Sequence, residues 1–256
     1  MLTDTHCHLD AAEFDADRDQ VVARARLAGV TRIIVPSVER ANFGAVASLC
    51  RDYSYSGCYP AYGIHPMVVD RAHEDDLAVL RETLVREQPV AVGEIGLDRF
   101  VEDRDDARQE LFFVEQLKMA REFGLPVLLH VRRAVDPVLK QLRRIRVSGG
   151  IAHAFNGSRQ QAEEFIKLGF KLGFGGAMTY PRARRIRALA AELPLEAIVL
   201  ETDAPDIPPA WLAGSRNEPA EIGKILEVFA GLRKLSPAET AVSVEKNVKS
   251  LFPRLG

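Results

Sequence analysis

Nothing in this chain stays apolar for long, and no run approaches the roughly 20 residues that a membrane-spanning helix needs, so no membrane partner is expected. Cysteine is scarce. Cys7, Cys50 and Cys58 are an odd number without metal-cluster spacing, which argues against a disulfide framework. An excess of one charge is missing too, since 34 Lys and Arg stand against 36 Asp and Glu for a net charge of −2. That excludes the strongly basic footprint of a protein that coats DNA or RNA, and leaves room for an enzyme that grips nucleic acid through a local patch. The start of the chain lacks a basic segment followed by an apolar stretch, so no signal peptide is expected and the cytoplasm is the default.

What is present is a rhythm. Short apolar runs alternate with longer, charged, helix-periodic stretches along all 256 residues. Strands are expected at 2–10, 32–35, 57–64, 90–98, 126–130, 150–155, 170–176 and 197–203. Helices are expected at 15–28, 41–51, 74–87, 105–123, 137–145, 158–168 and 183–193, with two more at 220–232 and 237–251 after a proline-rich loop. Eight strand–helix units of roughly 30 residues each are what a parallel (β/α)₈ TIM barrel requires. An open doubly wound sheet would want a glycine-rich phosphate loop after an early strand. Gly93-Glu94-Ile95-Gly96 lacks that spacing and has a carboxylate inside it. No linker divides the chain, so one domain over 1–256 is expected.

Metal-ligand residue types fall at the C-terminal ends of the expected strands. In a first strand, His6 and His8 share a face, roughly 7 Å apart along it, while Cys7 points the other way into packing. His65 follows strand three, Glu94 is on four, His130 on five, His153 on six and Asp203 on eight. Barrel active sites are built at that end. Five of the six histidines are placed there; His73, among acidic residues at a helix start, reads as a solvated surface group. Imidazole and carboxylate without thiolate suit Zn, Mn, Fe or Mg and disfavour a structural zinc site. Six candidate ligands are too many for one catalytic ion and suit two, with Glu94 as the bridging carboxylate. Asp203 can ligate one ion and take the proton of the attacking water. No lysine stands at the end of any expected strand, so a carboxylated-lysine bridge is not expected.

The segments Thr5-His6-Cys7-His8-Leu9-Asp10, Gly63-Ile64-His65-Pro66, Gly93-Glu94-Ile95-Gly96-Leu97-Asp98, Leu129-His130-Val131-Arg132, His153-Ala154-Phe155-Asn156-Gly157 and Glu201-Thr202-Asp203-Ala204-Pro205 resemble the TatD family of metal-dependent hydrolases. Thr179-Tyr180-Pro181-Arg182-Ala183 is similar to its YjjV-like branch. The resemblance runs from residue 3 to about 252 in order and implies a TIM barrel of the amidohydrolase-like superfamily. It implies two divalent ions, Mg, Mn or Zn. His6, His8, Glu94 and Asp203 would hold one, and Glu94, His130 and His153 the other. His65 would lie beside them as a catalytic residue on the substrate phosphate. The activity implied is that of a deoxyribonuclease of 3′–5′ exonuclease type, with DNA as substrate and no obligatory protein partner. A hydrolase of a small-molecule ester, amide or phosphoester, such as an aminoacyl bond, is the alternative, and a catalytically silent metal-binding protein a further one.

Lesser features bear on substrate. Arg132 and Arg133 follow a ligand strand and could hold phosphate by paired hydrogen bonds. Arg182, Arg184, Arg185 and Arg187 form a local basic cluster. Trp211 is expected to pack under the proline-rich loop. Arg99-Phe100 and Asp206 stand where many relatives have other residues, an aromatic directly after Leu-Asp in the first case and an aromatic in place of the acid in the second.

Overall fold

A computed structural model describes residues 1–255. In chain order the elements are β1 (Leu2–Asp4), α1 (Arg18–Leu27), β2 (Val30–Pro36), α2 (Phe43–Asp52), β3 (Cys58–Tyr62), α3 (Asp75–Glu87), β4 (Ala91–Asp98) and α4 (Asp106–Phe123). There follow β5 (Val127–Arg132), α5 (Val135–Arg144), β6 (Gly150–Ala152), α6 (Arg159–Lys167), β7 (Phe170–Phe174), α7 (Arg184–Glu192), β8 (Ile198–Leu200), α8 (Ile222–Arg233) and α9 (Pro237–Leu251). The eight strands pair in parallel in the order β1 to β8, with helices outside, as the alternation implied. The seam closes where the chain after β1 runs beside the chain after β8. Thr5 N donates to Leu200 O, Asp203 N to His6 O and His8 N to Ala204 O. The fold is a TIM barrel. Among the described residues no helix is long and apolar enough to cross a membrane.

Side-chain alternation divides the core into two layers. Ile34, Ala61, Leu128, Ile151 and Val199 form one buried cluster, closed below by Val248, Leu251 and Phe252 at the end of α9. Their neighbours Ile33, Val35, Tyr62, Val127, Leu129, Ala152, Ile198 and Leu200 belong to the larger cluster under the helices. Odd and even positions of each strand therefore face inside and outside the barrel. The inward parity of Leu128, Ile151 and Val199 continues to His130, His153, Glu201 and Asp203.

Glu94 needs a special device. Val92 packs outward, and so do Ile95 and Leu97, which an unbroken strand would forbid. The register of β4 against β5 shifts between Val92 and Ile95. That irregularity resets the parity, so Glu94 and Asp98 turn inward together. Gly96 lies in the same stretch at φ +150°, and a Cβ there would strike the carbonyl oxygen of His130. Gly96→Ala should cost about 3 kcal/mol through strain and overpacking. A thermal melt should show this as a fall in Tm of roughly 6–12 °C, and an unchanged melt would remove the argument.

β3, β4 and β7 are somewhat shorter than expected, and three strands that lead to ligand candidates stop well short of their expected ends. β1 stops at Asp4, β6 at Ala152 and β8 at Leu200. After β6 and β8 the backbone enters the left-handed region, at Ala154 (φ +44°) and Asp203 (φ +59°), where a ladder cannot continue. His6, His8, His153 and Asp203 thus stand one to four residues beyond their strands, while Glu94 and His130 lie within β4 and β5. The chain carrying His6 and His8 keeps its strand-like alternation through the seam bonds rather than as part of a longer β1.

Candidate metal centre

Glu94 sits at the middle of the inner face, 2% exposed, and five imidazoles converge on its carboxylate. His6 Nε2 is 3.0 Å and His8 Nε2 3.4 Å from Oε2. His65 Nε2 at 3.2 Å, His130 Nδ1 at 3.0 Å and His153 Nε2 at 3.0 Å surround Oε1. Asp203 Oδ1 closes the ring from the β8 side, 3.5 Å from His6 Nε2 and 3.8 Å from His8 Nε2. The rings of His6 and His153 stack with centroids 4.0 Å apart. The barrel thus brings all seven candidate site residues from His6 to Asp203 to one point, whereas His73 lies apart and exposed.

The hydrogen-bond partners set the role of each ring. Met67 N donates to His65 Nδ1, so the ring proton of neutral His65 is on Nε2, aimed at Glu94. His130 Nε2 bonds Asp98 Oδ2 at 2.9 Å and so carries its proton there. Its Nδ1 lone pair is left facing a carboxylate oxygen. His6 Nε2 and His8 Nε2, 3.3 Å apart, both face Oε2 of the same carboxylate. Lone pairs and anionic oxygens crowd together only if protons or cations lie between them. Without a cation the protons are unevenly shared. Burial, with repulsion from His153, pushes His6 down to about 3. Burial opposes a charged His153 as well, but Glu94 and Asp203 hold it up to about 10. Burial likewise disfavours ionised Glu94, yet the surrounding imidazoles keep its carboxyl well below the usual range.

The donor set therefore fits divalent ions, as N and O ligands without sulfur. Three overlapping groups have ligand atoms close enough to share an ion: His6–His8–Asp203, His6–Glu94–His153 and His65–Glu94–His130. Glu94 belongs to two of them, in keeping with a bridging place. The grouping differs from the sequence expectation in pairing His153 with His6 and in bringing in His65. The proton that Met67 fixes on His65 Nε2 favours a donor over a ligand.

Three buried acids beside the ring went unassigned in the sequence. Asp98 accepts from His130 and, through Oδ1, from Phe100 N and Val101 N. Asp4 accepts from His6 N, Thr202 N and Thr202 Oγ1, which ties the segment after β1 to the segment after β8. Burial holds the Asp4 carboxyl up to about 7 despite these bonds. Glu201 accepts from Ala154 N and lies 3.8 Å from His153 Nδ1. A period-two signal was available for all of them: each stands two or four residues from a ligand candidate on the same strand face. An anchor on the far nitrogen of a ligating imidazole typically contributes 10–100-fold in metal affinity or activity. Asp98→Asn is accordingly expected to weaken metal binding by about that factor, read by calorimetric titration, and unchanged affinity would remove Asp98 from the role.

The ring lies at the floor of an open cleft of about 1580 Å³. Its walls include Arg132, Arg133, Phe100, Asn156 and Arg185 on one side, and Asp10, Glu13 and Asp206 on the other. Of the basic cluster after β7, only Arg185 lines the cleft, bonded to Asn156 Oδ1; Arg187 instead donates to Met178 O. Trp211 is outside it and bonds Glu221 through Nε1. Cys7 is fully buried in the outer core.

Comparison with known proteins converges on one group. A family profile described as TatD related DNase matches residues 3–253. The uncharacterized metal-dependent hydrolase YjjV of Escherichia coli K12 is 42% identical over 97% of this chain and 96% of its own length. The crystal structure of YjjV from the same organism superposes with a TM-score of 0.94 at 41% identity, covering 98% of both chains. The 3′-5′ ssDNA/RNA exonuclease TatD of Cronobacter sakazakii is 34% identical over 98% of this chain and 97% of its own.

Proposed function

From the premise that the chain belongs to the TatD family and is a metal-dependent hydrolase, we propose that it cleaves phosphodiesters of single-stranded DNA from the 3′ end. In this reading it acts as one barrel domain in the cytoplasm. The observation that carries the proposal is the convergence of five imidazoles on the single carboxylate of Glu94, with Asp203 against His6 and His8, at the floor of a cleft flanked by arginines. The name of the Cronobacter relative supports the choice of substrate. The size of the cleft does too, since about 1580 Å³ exceeds the 300–1,000 Å³ usual for small-molecule pockets.

His6, His8, Glu94 and Asp203 would hold one ion, and Glu94, His130 and His153 a second. Divalent ions there, Mg, Mn or Zn, would supply Lewis acidity to a phosphoryl oxygen and make a bound water easier to deprotonate. The rest of the chemistry belongs to the chain. Asp203 points its Oδ1 into the ring and can take the proton of the attacking water. His65 carries its Nε2 proton toward the reacting centre and can donate to a phosphate oxygen. Arg132, two residues beyond His130, can neutralise the phosphate as charge builds on it.

Incubation with single-stranded oligonucleotides free or blocked at the 3′ end, in Mn²⁺ or Mg²⁺, tests the reading. Shortening of the free strand alone is expected. Strands left intact by fully metal-loaded protein would contradict the nuclease while leaving a hydrolase of another ester or amide standing.

A further inference from the structure

At the mouth of the cleft the loop after β4 presents Phe100, which is 45% exposed. Two guanidiniums lie against it, with Arg132 Cζ 3.7 Å and Arg133 Cζ 4.5 Å from the ring centroid. Consecutive residues leaving a strand normally point to opposite sides. Here the left-handed backbone of Arg133, at φ +54°, brings both side chains onto one ring. Neither cation is in a close ion pair. The nearest carboxylate oxygen to Arg132 is Asp98 Oδ2 at 3.8 Å, already bonded to His130, and Arg133 has no carboxylate partner among the described residues. The platform is nonetheless held in place. Asp98 Oδ1 takes the amides of Phe100 and Val101, and Arg99 N bonds Arg132 O. One acid thus anchors both the platform and the metal-facing ring of His130.

An exposed aromatic carrying two guanidiniums, one unpaired and one in only a long ion pair, offers a flat π surface and phosphate donors within one nucleotide's reach. We propose that Phe100, Arg132 and Arg133 form a nucleotide subsite beside the metal centre. The open part of the Phe100 ring stacks an unpaired base, and the outward N–H groups of the two guanidiniums take the adjoining phosphate. This rests on the nucleic-acid reading above and names the residues by which the cleft would recognise a single strand. A duplex keeps its base faces stacked internally and cannot offer one.

The test uses the metal-depleted full chain and two fluorescent probes of equal charge, a hexathymidylate and an abasic hexamer, with affinity read by anisotropy at several salt concentrations. The wild-type protein should bind the base-bearing strand about tenfold more tightly than the abasic one. Phe100→Ala should abolish that difference without changing the salt slope, and Phe100→Tyr should keep it. Arg133→Ala should weaken both probes alike and reduce the salt slope by about one. A base preference that survives in Phe100→Ala, or a salt slope unmoved in Arg133→Ala, would overturn the subsite. Wild-type protein that binds neither probe and leaves the hexathymidylate uncut in Mn²⁺ would sink the nuclease reading and the subsite with it. Cleavage without base preference would sink the subsite alone.

Discussion

Glu94→Ala should give a folded barrel that no longer retains divalent metal and hydrolyses a phosphodiester at least about a thousandfold more slowly, since the Lewis-acid contribution of a bound ion is worth several kcal/mol. The size of the effect follows from geometry. Both carboxylate oxygens are engaged, Oε2 by His6 and His8 and Oε1 by His65, His130 and His153. No other carboxylate touches so many of the rings, and two of the three candidate metal groups contain Glu94. Its removal leaves five imidazoles facing one another without the anion that makes their approach tolerable. A buried polar group without a partner costs about 1–3 kcal/mol, so the metal-free variant should also melt earlier than metal-free wild type. Metal content by mass spectrometry, with turnover of an activated phosphodiester, reads both outcomes. Wild-type metal content in the variant would end the assignment of Glu94 as the shared ligand.

Asp203→Asn should separate binding from chemistry. Asp203 adopts a left-handed backbone at φ +59°, a conformation that asparagine tolerates better than most residues, so the fold should survive. The amide oxygen can still face His6 and His8, but it cannot accept and carry a proton. Loss of a general base typically costs 10²–10⁴-fold. The variant is therefore expected to retain most of its metal while kcat falls by about 10³ and KM changes little. A variant as active as wild type would show that another group takes the proton. A fall confined to KM would mean that Asp203 only binds substrate.

The fold and the meeting of the candidate ligands at one point were legible because two simple periodicities carry them. Alternating apolar runs and amphipathic stretches imply eight βα units, and parity along β5, β6 and β8 aims His130, His153 and Asp203 into the barrel. Strand ends were less legible. Ala154 adopts positive φ with no local propensity to announce it, and Asp203 does so with only the weak left-handed preference of aspartate. The resetting of β4 was visible only as Gly93 and Gly96 flanking Glu94, a weak signal for a register shift. The grouping of the candidate ligands depends on distances across the barrel, which a linear chain does not encode residue by residue. The same holds for the arginines after β7: four share a segment, and helix geometry turns only Arg185 toward the cleft.

Every role proposed for this ring depends on its holding divalent ions. The most direct measurement titrates metal-depleted protein with Mn²⁺ while following both ions bound per chain and shortening of a 5′-labelled single strand. The expected result is no cleavage before metal, uptake of about two ions per chain with Glu94 shared between them, and cleavage that rises with their occupancy. Cleavage by the metal-free protein, or a wild-type chain that takes up no ion at this site, would contradict it.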